Sequence, residues 1–333
     1  MAAAYQSGTA SDPTDLQNKI ATFLTGQGWT IDSNIADGAG KRLHAHKGSD
    51  YVNMRSAINE AVWPNLAGSA GYGVNLYMGT GYNGANAWSL QAGGPVKSGG
   101  SDTVGSCMEL GSGAISAYHF FDDGSDNIVV VVERSGGIFT HIGFGRTFGK
   151  SGTWTGGAYF FGAKAGKYLP QTGIMGDSGN SAAAPLSISQ PYGTNSSSQR
   201  GFAAFVRVDV DSFTGKWVGF SSSDTTAPND GYTGKLGHSG ADYNTLQENV
   251  PVGLPTLARL VLHLVSAFNN QAVLLPIRGY VQRDAGGWSH IGQLPNVFYC
   301  GAVEQGGYAA ASIYTVNGKN FLLFPHFAVR KFA

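Results

Sequence analysis

The chain has 333 residues, 50 of them glycine and only 13% charged, with Lys+Arg and Asp+Glu balanced at 21 each. Typical chains are about 25% charged and about 7% glycine, so neutral polar groups or neighbouring protein must cover much of this surface. The balance excludes a net field that would draw the chain to nucleic acid or an anionic membrane, and no direct nucleic-acid binding is expected.

The first residues, "MAAAYQSGTASDP", lack the cationic and apolar regions of a secretory signal. A helix is predicted next. Asp12 can cap it, Pro13 suits its first turn, and Leu16, Ile20, Phe23 and Leu24 recur at helical spacing until Gly26 and Gly28. After Trp29 the pattern changes to short β-like runs separated by Gly, Asn and Asp: "KRLHAHKG", "DYVNMRSAI", "YGVNLYMGTGY" and "GAISAYHFF".

The clearest hairpin pairs "NIVVVVER" (127–134) with "IFTHIGFGR" (138–146) across Ser135-Gly136-Gly137. The unbroken run Ile128–Val132 predicts a strand buried on both faces, since a half-exposed strand alternates. "GTWTGGAYFFG" extends this meander. Residues 166–200, with Pro170, Pro185 and Pro191, read as irregular. Further strands are expected in "RGFAAFVRVDVD", "GKWVGFSS", "QAVLLPIRGYVQRD", "NVFYCGAV" and "NGKNFLLFPHFAVRKF". The stretch 257–268 contains Arg259 and His263 and falls short of the about 20 residues of a bilayer span, and within it Val261–Phe268 fits either a helix or a strand.

The predicted class is therefore mainly β, with one N-terminal helix and few others (β-rich α+β), in two glycine-rich antiparallel β portions. Its divisions are 1–30 (N-terminal helix and arm), 31–165 (β-rich domain), 166–200 (irregular Gly/Ser/Pro-rich connection) and 201–333 (second β-rich domain). A soluble protein made and kept in a cytosol, or assembled there, is expected. Cys107 and Cys300 have no metal-binding spacing and are read as free thiols.

Several motifs approach known chemistry. "IMGDSGNS" (174–181) contains Gly176-Asp177-Ser178-Gly179, the tetrapeptide around the nucleophile of trypsin-like proteases. A serine needs a base, an orienting carboxylate and oxyanion donors. The upstream histidines His44, His46, His119 and His141 lack the context of such a base, and "GNSAAAPLSISQP" lacks a substrate-binding strand. A turn, with Asp177 or Ser178 bonding nearby amides, is the reading adopted.

"GFGRTFGKS" (143–151) misses phosphate-loop spacing, because Gly145 leaves three residues and Gly143 five before the Gly-Lys pair. His44 and His46 share one face of a strand, which supplies two metal ligands and no third. "DVDSFTG" (209–215) departs from a calcium loop at Phe213, Gly215 and Phe220, and "DDGSDN" (122–127) reads as a turn. Glu109, Asp122, Asp123 and Glu133 are the acids available to a glycosidase, which needs two about 5–10 Å apart. No catalytic, cofactor-binding or metal-binding residue is assigned, no cofactor is expected, and the chain is read as non-enzymatic.

Six segments then form an ordered series: "FLTGQGWTID", "KRLHAHKGSDYVNMRS", "DNIVVVVERSGGIFTHIGFGR", "GTWTGGAYFFG", "AFNNQAVLLPIRGYVQRDAGGWSHIGQLPNVFYC" and "GKNFLLFPHFAVRKF". In these segments it resembles a family of tailed-bacteriophage virion structural proteins encoded among tail and baseplate genes. The resemblance implies a virion component at the tail baseplate or tail tip, assembled in the host cytoplasm. Its implied partners are copies of itself in a homo-oligomeric ring and other tail or baseplate proteins. The alternative it leaves open is a virion-borne host-receptor or carbohydrate-binding module.

Overall fold

The structure, a computed structural model, describes residues 2–60, 71–95, 105–134, 138–146, 157–162, 204–208, 216–219, 272, 274–282, 288–300, 302–303, 307–325 and 327–332. They form one α-helix and three antiparallel sheets, as the mainly β reading expects. Among them no helix is long and apolar enough to cross a membrane.

Strand β1 (Ala4–Ala10) precedes the helix α1 (Pro13–Gly26). Asp12 separates the two: its backbone is extended and its carboxylate accepts the Asp15 amide at 2.8 Å, satisfying a donor that the first turn leaves free. Leu16, Ile20, Phe23 and Leu24 form the buried stripe. Gly28, at φ +74°, reverses the chain just past the helix, a conformation that favours glycine.

The N-terminal sheet is a simple meander of β2 (Thr30–Asp37), β3 (Gly40–Lys47), β4 (Asp50–Glu60), β5 (Gly71–Gly79) and β6 (Ser106–Leu110). The long sheet has the order β1-β7-β8-β9-β10-β11-β12, built from β7 (Ile115–Asp122), β8 (Ile128–Arg134), β9 (Ile138–Arg146), β10 (Ala158–Gly162), β11 (Ala204–Val208) and β12 (Lys216–Gly219). It draws strands from both sides of segment 166–200, since β10 pairs directly with β11. The C-terminal sheet runs β13-β14-β17-β16-β15, from β13 (Leu275–Gln282), β14 (Trp288–Tyr299), β15 (Ile313–Val316), β16 (Lys319–Phe324) and β17 (Phe327–Lys331). The antiparallel strands thus divide among three sheets, where the sequence pattern separates only two portions. Segment 257–268 lies outside the described residues.

The long sheet is the middle layer, and its strands carry the reason. Ile128, Val130 and Val132 enter the main core with Tyr118, Phe120, Ile142, Phe144 and Phe160, against α1 and the N-terminal sheet. Val129 and Val131, on the opposite face, are equally buried. The expected double burial of Ile128–Val132 is what the fold contains. Each such aliphatic side chain contributes about 1.5–3 kcal/mol when fully buried, so a strand apolar on both faces belongs between two layers. On the second face, Phe324 at the end of β16 packs against Phe121 and Phe139, with ring centroids 6.2 and 5.6 Å apart.

Candidate functional site

The seam between the long and C-terminal sheets concentrates aromatic rings and histidines. In β7, residues 118 and 120 point to the main core, so His119 and Phe121 take the other face. His141 joins them through the ladder His119–Val131–His141. The tip of the β16–β17 hairpin supplies Phe324 and Phe327, stacked 5.2 Å apart. Phe324 lies 5.5 Å from the His119 ring and Phe327 lies 4.8 Å from the His141 ring.

His119 is 8% exposed. Nδ1 shares a 2.9 Å hydrogen bond with the Tyr5 hydroxyl of β1, while the buried Nε2 has no hydrogen-bond partner. Burial holds the ring below the usual histidine range, and the Lys331 charge pushes the same way. Lys331 reaches back over the Tyr5 ring, its Nζ 4.7 Å from the centroid.

The turn "DDGSDN" closes one end of this seam, as the turn between β7 and β8. Asp122 accepts the Gly124 amide and Asp123 accepts the Ser125 amide, both at 2.7 Å. Asn127 and Asn296 donate side-chain amides to Asp123 Oδ2 at 3.0 and 3.5 Å, which links the turn to β14. Lys47 reaches Asp126 at 2.5 Å, and Arg146 forks onto Asp50 at 2.5 and 2.8 Å, so the β3–β4 turn joins the same cluster. These pairings tie Asp123 and Asp126 to neighbouring strands, while the Asp122 carboxylate bonds only within its own turn.

The two histidines of "HAH" do share one face of β3, with Leu43 and Ala45 on the core side. They are engaged separately. His44 donates from Nδ1 to Asn53 Oδ1 at 2.6 Å beneath the Tyr82 ring, and His46 donates to the Asp32 carboxylate at 2.9 Å. Burial pushes the His44 pKa down, against the Asn53 hydrogen bond. Among the described residues no three His, Cys, Asp or Glu side chains are placed to hold a metal ion.

The four acids weighed for glycoside cleavage are dispersed: Glu109 is on β6, Asp122 and Asp123 are at one end of the β7–β8 hairpin, and Glu133 is at the other. Gly143, Gly145 and Arg146 lie within strand β9 rather than in a loop that opens a helix. Neither Cys107 nor Cys300 is in a disulfide. Ser178 and its tetrapeptide, the segment 209–215 and residues 147–151 lie outside the described residues.

Sequence reasoning missed the seam. Its signals were the alternation Tyr118-His119-Phe120-Phe121 and the closely spaced Phe324 and Phe327 on either side of Pro325. No family model and no curated protein matches this chain.

Proposed function

We propose that this protein is a non-enzymatic structural component of a bacteriophage virion, at the tail baseplate or tail tip, acting through protein–protein contacts in a homo-oligomeric ring. The ordered series of six segments supports the virion assignment. The carrying structural observation concerns sheet edges. Ile35, 47% exposed, lies on β2, and Ile313, 53% exposed, lies on β15. Among the described residues each strand is the outermost of its sheet. Unpaired edge amides and carbonyls beside exposed branched apolar side chains favour strand addition by neighbouring chains, and closed symmetry buries them.

The test has two parts. Mass spectrometry of purified particles is expected to find the chain, and its absence from the particle overturns the reading. Light scattering of the purified protein is expected to give a defined oligomer that Ile313→Lys and Ile35→Lys weaken. Binding of a monomer to host cells or surface polysaccharide, with no assembly, would favour a receptor- or carbohydrate-binding module instead.

A further inference from the structure

We propose that His119 makes the docking of the β16–β17 hairpin on the long sheet acid-labile, so that a proton on its ring releases the hairpin while the rest of the fold persists. The geometry is that of a cation trap without an acceptor. A neutral ring is accommodated by one hydrogen bond to Tyr5 and by apolar contact with Phe324. A protonated ring carries two N–H donors. The Tyr5 oxygen can accept one, and the buried Nε2 side has no partner.

Tyr5, Phe324 and Lys331, which contact or act on the ring, include no anion. From β1 the facing group is Tyr5; from β17 it is Lys331, a second cation. On the same face of the long sheet, β8 presents Val131 beside His119 and Glu133 two residues along, and β9 presents His141 two strands across. From β16 the neighbour is Phe324. Burying an unpaired charge among these groups costs more than exposing it. Undocking opens the seam to water and returns the ring to the ordinary value of about 6.5.

The direction follows from linkage. The docked ring binds its proton less readily than the undocked one, so acid favours undocking once the pH falls below about 6.5. One unit lower, at about pH 5.5, the undocked fraction rises by at most about tenfold. The separate cores make a local opening feasible: Phe321, Leu323 and Ala328 belong to a cluster with Cys300 and Ala302, apart from the core beneath the long sheet.

Amide hydrogen exchange on the full chain tests this, with rates corrected for the intrinsic pH dependence of exchange. Between about pH 7.5 and about pH 5.5, protection of β16 and β17 is expected to fall by up to about tenfold, while α1, β3 and β4 keep theirs. His119→Phe keeps an aromatic ring at the seam and is expected to abolish the loss. Lys331→Gln provides a second arm if that variant does not fold, and its loss is expected to be smaller than that of the wild type. No acid loss in the wild type overturns the proposal, as does equal loss in α1 or an undiminished loss in either folded variant.

Discussion

Gly162 of β10 lies so close to the backbone of Cys107 of β6 that a Cβ on the glycine would fall 2.5 Å from the cysteine carbonyl oxygen and 2.9 Å from its nitrogen. The edge strand of the N-terminal sheet therefore rests directly on the long sheet. Neither side of this contact is a flexible side chain that can swing away. Gly162→Ala is expected to force the sheets apart and destabilise the fold by about 1–3 kcal/mol, read as a lower urea midpoint.

Phe324 is fully buried and meets rings from three other strands, including His119, Phe139 and Phe327. Phe324→Ala removes the central plug of the seam. The expected cost is about 3–5 kcal/mol by denaturant titration. Hydrogen exchange is expected to place the loss in β14, β16 and β17 before it reaches α1, because the main core does not include Phe324.

His44 gives a pH dependence of defined sign. Its folded pKa is lowered, chiefly by burial, so the unfolded chain takes up the proton first as the pH falls. The stability it contributes is complete above about 6.5 and declines as the pH drops towards the folded value. His44→Gln retains a donor for Asn53 and removes the titration. Melting temperature followed from about pH 7 to about pH 5 is expected to fall less steeply in this variant than in the wild type.

Asp122 carries the opposite sign. Burial raises its pKa, the Gly124 amide works against this, and the Asp123 charge adds to the rise. Oδ1 accepts the Gly124 amide while the buried Oδ2 has no partner. The ionised side chain is thus a liability that grows as the pH rises through the ordinary carboxylate range. Asp122→Asn keeps an acceptor and discards the charge, and is expected to raise the neutral-pH melting temperature by about 2–4 °C.

The helix and the two-sided burial of one strand are legible in the sequence. The capped helix rests on local rules: Asp12, Pro13 and a 3.6-residue apolar period leave little choice. Ile128–Val132 disclosed a buried middle strand because only a two-sided environment rewards five consecutive apolar residues. Strand β1 was not legible, since "AYQSGTA" has no apolar alternation and owes its conformation to pairing with β7. The seam was hidden for a related reason. His119 and Phe324 are distant in sequence, and nothing local to either specifies the other. In "HAH" the shared face was readable from period two, but the partners Asn53 and Asp32 depend on strand register and on the irregularity between Ile31 and Ser33.

The pairing of β1 with β7 also has a consequence for how the chain is made. Tyr5 and His119, hydrogen-bonded to each other from adjacent strands of the long sheet, are separated by 114 residues. At synthesis rates of about 5–20 residues per second, β1 emerges from the ribosome on the order of ten seconds before its partner exists. During that interval α1 and the β2–β6 meander, whose contacts are mostly between neighbours in sequence, can assemble by themselves and shorten the distance the two strands must close. On this order the β1 edge of the long sheet is completed only when β7 arrives to pair with it.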